Sequence, residues 1–222
     1  MNGNGNDENG STDQQTTISL ANTGTQGLIS EDGHTGGNVV FSPGVWVVTE
    51  ERENPLFTAQ EQASEGFTRL AEAGQTAALV SEMEDTEGVR AVGTVGDGPI
   101  TPESSGTFTV DASEQGYVSL AAMLVPSNDM ALATAAPLPL RVQQGEQDRR
   151  LVASDGLLTD FLVLIDAGTE PNAAHGEGED QAPAQSDPLQ GDEEGQPIRQ
   201  VSRINDGITS PEVADVAELT FE

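Results

Sequence analysis

The 222-residue sequence contains no cysteine and no lysine. Without Cys, no disulfide, thiolate metal centre or Cys nucleophile can form. Basic charge is confined to eight arginines, which face 38 Asp and Glu and leave a formal net charge of −30. Such a chain has no basic patch to neutralise phosphates, and it would be repelled by an anionic membrane surface. Aromatics are scarce too, with one Trp, one Tyr and six Phe, so the core has to be built from Val, Leu, Ala and Ile. No window approaches the ~18 consecutive apolar residues of a membrane span. The first ten residues, M-N-G-N-G-N-D-E-N-G, have neither a basic nor an apolar leader region. They read either as a chain not exported by the usual route or as a mature form whose leader has been removed.

The acid that is present sets the solvent. At low ionic strength 30 uncompensated charges repel one another, whereas multimolar salt shortens the Debye length to ~3 Å or less. The composition is that of a halophile's protein.

Residues 1–14 have almost no apolar side chain and read as a flexible acidic tether, with one glycosylation sequon at Asn9-Gly10-Ser11 read as chance. The folded part is expected over 15–222. Thr17-Ile18-Ser19-Leu20 and Thr107-Phe108-Thr109-Val110 alternate as half-buried strands, and Leu219 and Phe221 put a third such strand at the C-terminal end. Val39 to Val48 is β-branched but interrupted by Ser42-Pro43-Gly44, which predicts an edge strand or two short strands around a bend. Tyr117 to Val125 is apolar on both faces, as a central strand between two layers would be. Between 59 and 83, Phe67, Leu70, Leu79 and Met83 recur at helical spacing, with Thr58-Ala59-Gln60-Glu61 read as a capping box and a break near Gly74. The Pro-, Gly- and acid-rich stretch 171–197 reads as a long irregular loop packed along the surface.

The inventory for catalysis is thin. His34 and His175 lie in Gly-rich segments without a second His at ligand spacing, and both are expected at the surface. No nucleophile elbow, phosphate-binding loop or dinucleotide fingerprint is present. A Ser/His/Asp arrangement remains open, because its members need not be near in sequence. More informative are the two most apolar strands, each of which runs into acids: Tyr117–Val125 into Pro126-Ser127-Asn128-Asp129, and Leu162–Ile165 into Asp166-Ala167-Gly168-Thr169-Glu170. If both run the same way, their loops meet at one edge and bring Asp129, Asp166 and Glu170 together. Three such charges raise one another's pKa unless a cation lies between them, and a hard ion taking ~6–8 oxygens, Ca²⁺, suits mobile loops of this kind. An acidic rim with no ion is the alternative.

The ordered set S-P-G-V-W-V-V-T (42–49), N-P-L-F-T (54–58), G-F-T-R-L-A-E-A-G (66–74), M-L-V-P-S-N-D (123–129), D-A-G-T-E (166–170), D-Q-A-P (180–183) and P-E-V-A-D-V (211–216) resembles a spondin domain, closest to its stand-alone, acidic versions. The resemblance implies an all-β, C2-like antiparallel β-sandwich with a short helical insertion. It further implies a Ca²⁺ site whose ligands fall on Asp129, Asp166 and Glu170, in a family of secreted matrix and adhesion proteins. The chain departs from the pattern at Met130-Ala131, where the family has an aromatic pair, and at Ile165, where it has Trp. Trp46 is read as a core anchor.

These readings lead to a non-enzymatic, extracytoplasmic binding or adhesion module at the cell surface, with a protein or surface-glycan partner at the loop edge and neither nucleic acid nor membrane insertion. A structural building block of a cell surface or virion is the second class, and a metal-dependent hydrolase on the same acids the third.

Overall fold

The computed structural model describes residues 15–111, 116–140 and 158–221. The tether at 1–14 and its sequon lie outside them. In chain order the elements are β1 (Gln15–Asn22), β2 (Phe41–Thr49), α1 (Glu65–Ala73), α2 (Ala77–Glu84), β3 (Val89–Val95), β4 (Ser105–Asp111), β5 (Gly116–Leu124), β6 (Met130–Thr134), β7 (Leu138–Leu140), β8 (Leu162–Asp166), β9 (Arg199–Gln200), α3 (Val213–Val216) and β10 (Ala217–Phe221). They form two antiparallel sheets, one in the order β10-β1-β4 and a larger one in the order β3-β2-β5-β6-β8-β9, with β7 also pairing β5. The fold is therefore an all-β sandwich with a short helical insertion.

Period-2 patterning explains the smaller sheet. Phe108 and Val110 on β4, Ile18 and Leu20 on β1 and Leu219 on β10 are buried and join one apolar cluster with Val118, Leu120 and Leu132 of the facing sheet. Trp46 reaches across from β2 and stacks on Phe108, with ring centroids 5.1 Å apart. Such a stack contributes about 0.5–1.5 kcal/mol beyond its buried area, so Trp46 acts as the expected anchor.

The larger sheet is covered on both faces, which is why β5 lacks alternation. Val118, Leu120, Ala122 and Leu124 face the smaller sheet. On the opposite side, Ala121 packs with Phe67 and Leu70 of α1 and Leu79 of α2 in a second cluster. The helical break falls where the sequence places it: Gly74 caps α1 in the left-handed conformation, φ 64°.

Two expectations are corrected. Helix α1 starts at Ser64, whose hydroxyl accepts the Phe67 N–H at 3.1 Å, and not at the 58–61 box. Gln60 instead has φ 69° and donates its backbone N–H to the Ile198 carbonyl at 3.0 Å, which turns the chain too early for a helix to begin there. Strand β2 is interior, flanked by β3 and β5. Pro43 is tolerated because the β2–β5 register slips between Phe41 and Gly44 and the β3 pairing begins only at Gly44, so no ladder bond is asked of the proline.

Between Asp166 and Arg199 the chain forms no helix or strand. It is nonetheless packed down, since His175 and Gln181 are 5 % and 0 % exposed.

Candidate metal centre

Antiparallel pairing decides where the acids meet. Strand β5 pairs β6 antiparallel and β6 pairs β8 antiparallel, so β5 and β8 run the same way and end at the same edge. Met130 is opposite Asp166 in the β6–β8 register. Asp129, one residue earlier, accepts the Ala167 N–H on its backbone carbonyl at 3.1 Å. Both carboxylates are fully buried.

The D-A-G-T-E turn folds around Asp129. Gly168 has φ 70°, and a Cβ there would collide with the Gln196 carbonyl oxygen, so the turn requires glycine for both reasons. The turn then aims three donors at one oxygen, Asp129 Oδ2: the Thr169 N–H at 2.7 Å, the Thr169 hydroxyl at 3.3 Å and the Glu170 N–H at 3.1 Å. The other oxygen, Asp129 Oδ1, is buried without any hydrogen-bond partner. Asp166 is held from both sides, accepting from Asn172 Nδ2 at 2.5 Å and from Arg199 at 3.0 Å. Arg199 also pairs with Glu194 at 3.3 Å.

One oxygen each from Asp129, Asp166 and Glu194 lies within 4.8 Å of the others, a set that could hold a metal ion. Glu170 is not part of that set. Its Oε1 accepts the Gly191 N–H at 3.1 Å, where the missing glycine side chain makes room for the carboxylate, and its Oε2 is buried without a partner. The structure thus brings Asp129 and Asp166 together as expected and supplies Glu194 beside them, a residue the sequence hides within an acid-rich loop.

Electrostatics single out Asp129 within that set and Glu170 beside it. Burial, followed by the neighbouring Asp166, pushes the Asp129 carboxyl up to about 7. Burial, followed by Glu72, pushes Glu170 up to about 8. Glu72, on the buried face of α1, is itself raised, first by burial. Carboxyls at such values either carry protons or share a cation. The donors are all carboxylate oxygens, the ligand type that hard cations take.

The histidines stand apart from these acids. His34 is exposed, as expected, but His175 is buried, because the 171–197 loop folds back onto the β5–β6 turn and places the ring on the Pro126 carbonyl.

Two antiparallel sheets with a carboxylate cluster at one loop edge define a β-sandwich module with a candidate cation site. The family model described as Spondin_N matches residues 41–137, from β2 through β6 and including the P-S-N-D turn between β5 and β6, so that stretch is similar to a spondin domain. The match includes Asp129 and ends before Asp166, Glu170 and Glu194. Domains of this family are of an extracellular, non-enzymatic type. No curated protein matches the chain. Among the described residues, no helix is long and apolar enough to cross a membrane.

Proposed function

We propose that the chain is an extracytoplasmic adhesion-type module of a halophile whose loop edge is ordered by Ca²⁺. The ion would be held by Asp129 and Asp166 with Glu194, and Glu170 would turn inward to join them. The observation that carries this reading is the orphaned Asp129 Oδ1, a buried acceptor with no partner beside a second buried carboxylate. An ion there replaces the missing donor and cancels the repulsion in one step. Arg199 would then orient Asp166 and Glu194 from outside. A protein or surface-glycan partner at this edge fits the same reading, since loops ordered by an ion present a fixed surface to it.

Calorimetric titration at constant high NaCl tests the site. Wild type should take up Ca²⁺ saturably, and Asp166→Asn should weaken uptake most, because Asp166 is anchored at a strand end. No saturable uptake, or a variant that binds as well as wild type, would remove the site.

A second expectation concerns salt. Moving the protein from high NaCl to dilute buffer should lower its melting temperature, and Ca²⁺ should restore part of the loss at concentrations far below those needed for Na⁺. A melting temperature that does not move across that range would contradict the halophilic assignment.

A further inference from the structure

Away from the acids, the fold assembles a serine and a histidine that are 35 residues apart in sequence. His175 Nε2 lies 2.9 Å from Ser210 Oγ, and His175 Nδ1 lies 3.2 Å from the Pro126 carbonyl oxygen. The proton positions follow from the partners. A carbonyl can only accept, so Nδ1 carries the hydrogen; in the neutral ring Nε2 is then bare and accepts from the Ser210 hydroxyl. Burial keeps the ring neutral by lowering its pKa, while Asp206 nearby acts in the opposite sense and favours an imidazolium once one forms. This is the tautomer a general base needs: a fixed ring with its lone pair aimed at a hydroxyl.

Ser210 is half-buried and lines a cavity of about 500 Å³. The lining mixes apolar residues, among them Leu162 and Leu164 of β8 and Ile208, with the polar Asp160, Gln200 and Glu212. A cavity of that size accepts a short acyl chain. The residue after the serine is Pro211, which has no N–H to donate to a developing oxyanion; acylation and release are both slowed, so capture relies on a good leaving group and release by water lags behind it.

We propose that Ser210 is a nucleophile, activated by His175, that accepts the acyl group of a small carboxylic ester bound in this cavity. As the bond from Ser210 Oγ to the ester carbonyl carbon forms, the hydroxyl proton passes to His175 Nε2. When the ester C–O bond breaks, the departing alkoxide takes that proton and leaves as the alcohol. Acyl-Ser210 remains, and water releases it slowly as the carboxylic acid, the proton again moving through His175. This reading does not depend on the metal centre and concerns different residues.

The test uses the whole folded chain with two probes, an alkyl fluorophosphonate and p-nitrophenyl butyrate, followed by mass spectrometry of the intact protein and its peptides. Wild type should gain one phosphonyl group on Ser210, and p-nitrophenyl butyrate should give a burst of about one nitrophenolate per chain before a slow steady state. Heat-denatured protein should not label. Ser210→Ala should abolish both signals, while Ser202→Ala, on the same cavity wall, should keep them. His175→Asn should slow labelling by about 10²-fold or more, the usual contribution of a positioned base. The labelling rate should also fall as pH drops below the ordinary histidine range. Folded wild type that does not label, or label that persists in Ser210→Ala, would overturn the proposal; because wild type alone can decide, a misfolded variant does not obscure the answer. Chelating Ca²⁺ from a still-folded protein should leave labelling in place, which separates this site from the acids.

Discussion

Stripped of divalent ions, the protein should lose stability as pH rises from about 4 to about 8, with Asp129 and Glu170 as the two main sources. The Asp129 carboxyl moves from 3.8 to about 7 on folding, for reasons of burial first and Asp166 second. A folded-state pKa above the unfolded value means that the native state binds the proton more tightly. The stabilising contribution is therefore complete below pH 4 and is lost as pH climbs through 7. A rise of about three pH units corresponds to a penalty on the order of 4 kcal/mol once the group is forced to ionise. Glu170, raised to about 8, acts in the same direction, but the two interact through space and their effects will not simply add. Ca²⁺ should reverse the slope, because the ion and the proton compete for the same oxygens and the ion gains as the proton leaves. Asp129→Asn separates the two contributions. Its amide oxygen still accepts the Thr169 and Glu170 N–H groups, its NH₂ can face Asp166, and position 129 no longer buries a charge. In chelator, this variant should be more stable than wild type at pH 8 and should depend less steeply on pH, with Glu170 supplying the slope that remains, while gaining little from Ca²⁺. Urea denaturation at pH 5 and pH 8, with and without Ca²⁺, measures all four cases. A wild-type curve that is flat with pH in chelator would show that the buried carboxylates are balanced by something other than a proton or a cation.

How much of this could be read from the sequence depends on the range of the interaction. Strand character was legible where a strand buries one face, because alternation in Thr107-Phe108-Thr109-Val110 reports a local environment. The two-layer burial of β5 was legible for the complementary reason, an unbroken apolar run. The interior place of β2 was not, since Pro43 normally marks an edge and only the register slip opposite β5 shows that its missing N–H does no harm. The start of α1 was misplaced because Thr58 and Glu61 have capping chemistry, while the contact that prevents a helix there, from Gln60 to Ile198, spans 138 residues. The metal centre divides in the same way. Asp129 and Asp166 stand at the ends of strong strands, and strand direction was enough to bring them together. Glu194 and Arg199 come from a loop whose path no periodicity records, and Glu194 is one of 38 acids with nothing local to distinguish it. His175 was misjudged for a related reason: Gly-rich flanks suggest exposure, but the loop that contains it packs on Pro126.

The turn that carries the candidate ligands should be the least tolerant backbone position in the loop edge, and two glycines with matching conformations can demonstrate it. Gly168 and Gly88 have φ 70° and 83°, so Ala at either position pays for the left-handed region. That strain is about 1–2 kcal/mol. The surroundings differ. Around Gly88 there is no atom within 4 Å of an added Cβ, whereas at Gly168 the Cβ meets the Gln196 carbonyl, whose residue also donates its own N–H to the Gly168 carbonyl at 2.7 Å. Backbone on both sides of the clash cannot move aside without breaking that bond or withdrawing the Thr169 and Glu170 N–H groups from Asp129. Gly88→Ala should therefore cost only the conformational strain and leave Ca²⁺ affinity unchanged. Gly168→Ala should cost that strain plus an overpacking penalty of roughly 1–3 kcal/mol, and Ca²⁺ uptake should weaken with it, because Asp129 Oδ2 loses the donors that fix its carboxylate plane. Denaturant melts and calorimetric titration of the two variants in parallel give the comparison. Equal costs, or a Gly168→Ala protein that binds Ca²⁺ as wild type does, would mean that the D-A-G-T-E turn does not need the geometry described for it.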